Sequence, residues 1–142
     1  MYFMNEGSID LPDSWKDQTI NIVVSGGTGS VPGLNFTVTR DDVPWGMGFD
    51  EYVNGEIEKA GNALTDFTIV SQSGLHVAGR AAVELECTWS AKQGPTHQII
   101  TTVDAPTHAM VLTASMPGKM SDTQKAEVRR IVATLNLNQP KS

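Results

Sequence analysis

The sequence predicts an α+β fold: a mostly antiparallel curved sheet with one inserted amphipathic helix and one C-terminal helix. Two periodicities carry that prediction. Apolar residues alternate at every second position in several stretches, as half-buried strands require. They recur at spacings of three and four in only two places, Phe49 to Leu64 and Ala126 to Leu135. The order is therefore strands, helix, strands, helix, which fits an antiparallel sheet with helices set apart from it. No internal repeat or linker interrupts the 142 residues, so residues 1–142 are expected to form a single domain.

Taken in order, residues 2–4 and 8–11 read as short strands around a turn at Asn5-Glu-Gly7. Leu11-Pro-Asp-Ser-Trp15 is a turn with a large aromatic anchor. Asp17 to Ser25 follows as a strand with Ile20, Ile22 and Val24 on one face and Asn21, Val23 and Ser25 on the other. Gly26 to Ser30, with Pro32-Gly33, is a connection to the alternating strand Leu34 to Arg40, and the two strands are expected to pair. Asp41 to Gly48 is a loop. Phe49, Tyr52, Val53, Ile57, Ala60 and Leu64 then mark a helix of about four turns, weakened by roughly 1 kcal/mol at each of Gly55 and Gly61. Those glycines are also places where another backbone could come close.

The second half opens with a strand at Asp66 to Gln72 and a short segment Leu75-His-Val77 between glycine turns. Arg80 to Ser90 alternates strongly, with Ala81, Val83, Leu85, Cys87 and Trp89 on one side and Glu84, Glu86 and Thr88 on the other. After a turn at Lys92 to Pro95 come strands at His97 to Val103 and Ala109 to Ser115, and Pro117-Gly118 stops the last. Ser121 with Gln124 is a capping box for the final helix, which runs to about Thr134. Asn138 to Ser142 is a polar tail.

Composition excludes several function classes. A net charge of -6 argues against nucleic acid or an anionic membrane as partner, since both demand a basic patch. Lys125 and Arg129-Arg130 are the only local gathering of cations, and on a C-terminal helix they read as a solvated face. One cysteine cannot form an internal disulfide. No apolar run approaches the roughly 20 residues that span a bilayer, and the opening residues lack the basic and apolar regions of a signal peptide. A cytoplasmic protein without direct membrane insertion is expected.

Catalytic and cofactor patterns are absent. The glycines at 26–30 lack the Gly-Lys-Ser/Thr ending of a phosphate loop. His76, His97 and His108 sit in separate strand-edge or turn contexts without metal-ligand spacing, and are expected to be solvated or locally bonded. Cys87 alternates with Leu85 and Trp89 as a small core residue, not a nucleophile. Glu84 and Glu86 read as exposed strand charges that discourage edge pairing. Gln98 shares a strand face with Ile100; alternation alone places it towards solvent, and an apolar environment would demand hydrogen bonds for it. No cofactor, metal or enzymatic activity is expected.

The ordered set of these features resembles the Eag chaperones of bacterial type VI secretion, within the broader DcrB-like family. The matching residues are Ile9 to Trp15, Asp17 to Ile22, the Phe49–Leu64 helix with Tyr52-Val53, Gly79 to Val83 ahead of the strand ending in Trp89, and Gln98. The resemblance implies a cytoplasmic homodimer that shields the N-terminal transmembrane helices of a secreted effector in an apolar groove and aids loading onto the spike-tip complex. It maps that groove onto Ile20, Ile22, Ala60, Leu64 and Gln98, with Val24, Glu56 and Ile57 beside them. Glu56 stands where the family helix often has glutamine, which alters the polar contact offered there. On this reading Ile20 and Ile22 are exposed in the empty protein and Val23 faces the interior. The competing expectations are a DcrB-like envelope or structural protein without effector clients, and a small ligand-binding protein or hydrolase.

Overall fold

The computed structural model describes residues 2–4, 6–15, 18–24 and 33–137. Strands β1 (Tyr2–Met4) and β2 (Gly7–Ile9) pair in a small separate sheet. The main sheet comprises β3 (Asn21–Val24), β4 (Asn35–Asp41), β5 (Thr68–Val77), β6 (Arg80–Ala91), β7 (Gly94–Asp104) and β8 (Ala109–Pro117). Its order is β3-β4-β8-β7-β6-β5, and every adjacent pair is antiparallel. Helix α1 (Phe49–Ala63) lies between β4 and β5 in sequence, and α2 (Asp122–Ala133) follows β8. This is the expected α+β class.

The two helices cover opposite faces of the sheet, and they cover them unequally. Val128 and Val132 of α2, with Met120 before it, pack on Ile99, Val103, Leu112 and Ala114, all fully buried or nearly so. Ser121 and Gln124 complete the capping box: the Gln124 amide donates to Ser121 Oγ at 3.1 Å, and the Ser121 amide donates to Gln124 Oε1 at 2.8 Å. Helix α1 is held less firmly. Its N-cap is Gly48, which supplies no side-chain bond, and only Tyr52 and Val53 are buried. They pack on Ala109 and Val83 with support from Val43, Met47, Phe49 and Ile57. Beyond that anchor the helix stands over a sheet surface it does not fill.

Hairpin chemistry fixes the register. Ala78 and Gly79, between β5 and β6, both have positive φ (52° and 75°), as a type I′ turn requires. The β6–β7 hairpin turns on Lys92-Gln93, with Ala91 opposite Gly94, so Gly94 and Pro95 belong to the strand and not to the turn. Strand β5 is continuous through Ser73-Gly74, where breaks were expected, because Gly74 pairs directly with Val83. Its irregularity lies earlier, at a bulge between Ile69 and Ser71. The strand expected over 17–25 is ordered as Asn21–Val24 and pairs with β4 as anticipated; Asp17 and Ser25 lie outside the described residues, as do the glycine loop 26–30 and the tail 138–142.

Three side-chain expectations are corrected. Glu84 and Glu86 do not face solvent at an edge: β6 is an interior strand, and α2 covers that face. His97 is bonded, as one of the two expected alternatives has it, but not at a strand edge: it lies in the interior strand β7 and is 1% exposed. Val23 does not face an interior; it is 64% exposed, because β3 is the outermost strand and α2 does not reach over it. The glycines of α1 also have no backbone pressed against them: a Cβ at Gly55 would meet open space, and one at Gly61 would meet the Phe67 ring at 3.7 Å.

Candidate functional site

Because side chains alternate across a strand, the register decides which residues share the α1 side of the sheet. Val83 and Leu85 of β6, Ile100 and Thr102 of β7, and Val111 and Thr113 of β8 all point there and are cross-strand neighbours. With Tyr52, Val53, Glu56, Ile57 and Ala60 of α1 they line a cleft of about 210 Å³. A helix about 10 Å across rises 5.4 Å per turn and occupies about 400 Å³ in each turn. The cleft therefore takes side chains from one face of a bound helix; the helix itself would have to lie along the open sheet.

That open sheet continues outward. One cross-strand row runs Leu85, Ile100, Thr113, Thr37, Ile22, and the next runs Cys87, Gln98, Ser115, Asn35, Val24. Ile22 and Val24 thus share a face with the cleft, separated from it by threonines and by small polar residues. Ile20, Ile22 and Val24 are 58%, 66% and 62% exposed, although each is aliphatic and β-branched. Exposed apolar surface concentrated on one strand is unusual in a folded chain and marks contact sites.

The expected groove residues fall into three groups. Glu56, Ile57 and Ala60 line the cleft itself. Ile22, Val24 and Gln98 lie on the same sheet face outside it. Ile20 precedes β3 and borders a different, more polar cavity with Thr39, Arg40, Asp41 and His108, while Leu64 is the half-buried C-cap of α1. The sheet residues Val83, Leu85, Ile100, Val111 and Thr113 were not singled out as groove residues. Their alternation was legible, but which face α1 would cover was not.

Polar side chains on this face include Gln98, Tyr52, Glu56 and Trp89. Gln98 is half-buried, takes a long contact from the Cys87 thiol (4.0 Å) and donates to Ser115 Oγ at 3.4 Å. The Tyr52 hydroxyl donates to Asp41 Oδ2 at 2.7 Å. Burial, and then that carboxylate, push the Tyr52 phenol well above its ordinary value, so it remains a donor. Glu56 is exposed and 3.2 Å from Lys59 Nζ. The Trp89 indole N–H is buried without a partner among the described residues.

A histidine–carboxylate pair does exist, but on the other face. His97 Nε2 lies 2.8 Å from Glu86 Oε2, and both residues are nearly fully buried beneath α2. The Met120 amide donates to His97 Nδ1 at 2.8 Å, which places the ring proton on Nε2, pointing at Glu86. Lys125 and Arg129 bond the same carboxylate at 2.9 and 3.1 Å. Every proton position of the ring is committed to the fold, and neither residue lines the cleft. The cluster fastens α2 to the sheet. Burial pushes the Glu86 carboxyl up, but hydrogen bonds from Lys125 and His97 and the charge of Lys125 outweigh it, so it titrates below the ordinary carboxylate value. Cys87 is fully buried, and burial followed by the nearby Glu86 charge pushes its thiol up to about 11. Among the described residues no group of three or more His, Cys, Asp or Glu side chains could hold a metal ion. Nor is any described helix long and apolar enough to cross a membrane.

Comparison with known proteins adds a family. The family model described as DcrB matches residues 6–134. The protein named Effector EagT6 from Pseudomonas aeruginosa is 30% identical over 89 residues, which is 63% of this chain and 62% of that protein, so the match spans less than two thirds of this relative. The crystal structure of a Pseudomonas aeruginosa protein of unknown function superimposes with a TM-score of 0.82 at 22% identity, over 99% of this chain and 96% of that one. The solution structure of cyanobacterial PsbP from Synechocystis has a TM-score of 0.54 at 13% identity, over 81% and 79% of the two chains. At those identities the two structures establish a shared fold.

Proposed function

The chain belongs to the DcrB family, and on that premise we propose that it is a cytoplasmic, non-catalytic chaperone that binds the N-terminal transmembrane helices of a type VI secretion effector. Residues 1–142 act as one domain, the working unit is a homodimer, and the chaperone hands its client to the spike-tip complex. The similarity to Effector EagT6 supports the secretion context. The observation that carries the rest is the pairing, on one sheet face, of a small apolar cleft with an exposed row of β-branched residues.

The physics of that pairing suits an apolar helix. Such a helix has satisfied its own backbone hydrogen bonds and needs only an apolar surface in place of lipid. Ile57, Val83, Leu85 and Ile100 receive its side chains. Ala60 lets it approach α1 closely, since small residues allow tight helix packing. Ile22 and Val24 cover its outer flank, and Ile20 and Leu64 extend the surface at either end. Gln98 and the threonines of the floor accept or donate to the few polar groups a membrane helix carries. Glu56, an acceptor where a glutamine would offer both roles, selects a donor on the client.

Coexpression tests this directly. An apolar N-terminal segment of a type VI effector encoded beside this chain, fused to a soluble reporter, is expected in the soluble fraction only when the chain is present. I22N and I57N are expected to lower the retained client at least fivefold while preserving the far-ultraviolet spectrum of the fold. Wild-type retention by both folded variants would overturn the groove.

A further inference from the structure

We propose that the turn before α1 reads the basic flank of the client: Trp45, with Asp50 and Glu51 beside it, holds the Lys or Arg side chains that border a membrane-spanning segment. The inference rests on the groove proposed above and adds a polar subsite at one end of it.

Trp45 is the starting point. It is fully exposed, although an indole carries one of the largest apolar surfaces of any side chain and is normally well covered. That exposure is built into the backbone. Residues 44–47 form a tight turn in which the Met47 amide donates to the Pro44 carbonyl at 3.0 Å. Gly46, third in the turn, has a φ of 82°, as a type II turn requires there. On either side of the indole, Val43 and Met47 pack with Tyr52 and Val53 of α1. The turn is anchored at both ends, and Trp45 is held out at its corner.

The place of this turn decides what can meet it. Val83, Thr102 and Val111 form one cross-strand row of the cleft, and Asp41 pairs with Ala109 two residues beyond Val111. From Asp41 the chain passes through the turn into α1, whose residues Tyr52 to Ala60 run along the cleft. A client helix lying beside α1 therefore brings one of its ends to Trp45.

Charge names the chemistry of that end. Residues 41–51 hold four carboxylates, Asp41, Asp42, Asp50 and Glu51, and no Lys or Arg. Asp41 is engaged by the Tyr52 hydroxyl, while Asp50 and Glu51 are exposed. The cation of β4, Arg40, is bonded to Asn21 Oδ1 at 2.6 Å and to the Thr19 carbonyl at 3.3 Å, on the β3 side. Carboxylates in a first helical turn also complement the helix dipole, which accounts for Asp50 and Glu51 but not for a bare indole next to them. Such a turn repels an anionic lipid surface. A purely apolar pocket would strip the carboxylates of water and return nothing. A cationic side chain suits both features, because its charge meets the carboxylates and it packs on the face of tryptophan, the best aromatic partner for a cation. Membrane-spanning segments carry Lys and Arg in the short flank at their cytoplasmic end. A client that lays its apolar stretch in the cleft presents those cations where the helix ends.

The coexpression assay tests this with designed clients. A soluble reporter carries a Leu–Ala segment of ~20 residues, bordered either by Arg-Lys-Arg or by Ser-Gly-Ser, with the border at each end in turn. For one of the two placements, the chain should retain the basic client at least fivefold more than its serine counterpart. W45A and D50N/E51Q should each bring that ratio below about twofold. E6Q/D122N, which removes two exposed charges elsewhere, should keep it. I57N should lower retention of both kinds of client and leave the ratio unchanged. If W45A misfolds, D50N/E51Q decides. No preference for the basic border at either end, or a preference that survives W45A and D50N/E51Q, overturns the subsite while the groove stands. If no client of either kind is retained, groove and subsite fall together.

Discussion

A carboxylate buried between a strand and a helix is tolerable only when its oxygens are taken, and Glu86 has His97 and Lys125 on one oxygen and Arg129 on the other. Removing its charge should therefore cost more than an ordinary surface change. E86Q is expected to lose about 2 kcal/mol of unfolding free energy at pH 7, measured with urea, because Lys125 and Arg129 reach water and recover part of the loss. The pH dependence follows from the direction of the shift. A carboxyl whose pKa is lower in the folded than in the unfolded chain contributes stability that is complete above its unfolded value near 4.5 and disappears as pH falls through the folded value. Wild type should lose stability in that acid window more steeply than E86Q. Alternation in the sequence correctly placed Glu84 and Glu86 together and opposite Leu85 and Cys87. It read their side as solvent because the helix that covers them begins some forty residues later, and alternation carries no information about that.

At the level of elements, α1 is the least secured piece of the fold and the one the proposed groove needs most. It has no side-chain N-cap, two buried residues, and two interior glycines. Since a Cβ at Gly55 would touch nothing, G55A should stabilise the chain by about 0.5–1 kcal/mol, read as a higher urea midpoint with an unchanged slope. If client retention fell while stability rose, Gly55 would be kept for close approach of the client and not for the fold. Helix periodicity located α1 within one residue of its observed end, and the Ser121–Gln124 spacing located the start of α2, because both signals are local. Strand limits were less legible. Gly74 and Gly94-Pro95 look like breaks in isolation but sit inside strands, since pairing with Val83 and Ser90 supplies what their intrinsic preferences lack.

At the scale of the whole molecule, α2 packs over the middle of one sheet face and α1 only half covers the other, and a ligand that binds only the folded form should close the second. A soluble apolar peptide bearing the client segment is then expected to raise the unfolding free energy by about 2.7 kcal/mol at one hundred times its Kd, and the thermal midpoint should climb with peptide concentration. A midpoint indifferent to the peptide would count against binding to the native state. The sequence by itself determined the α+β class, both helices, and the strands and their alternation. It did so because those properties depend on spacing and composition over a few residues. The tertiary structure alone decided that Val83, Leu85, Ile100, Val111 and Thr113 meet Ile57 and Ala60 across a cleft, that Ile22 and Val24 lie bare on the same side, and that Glu86 and His97 are sealed beneath α2. Each of these depends on strand order and register between distant segments, and on which face each helix covers. A period of two leaves both faces of every strand equivalent until a helix is laid on one of them.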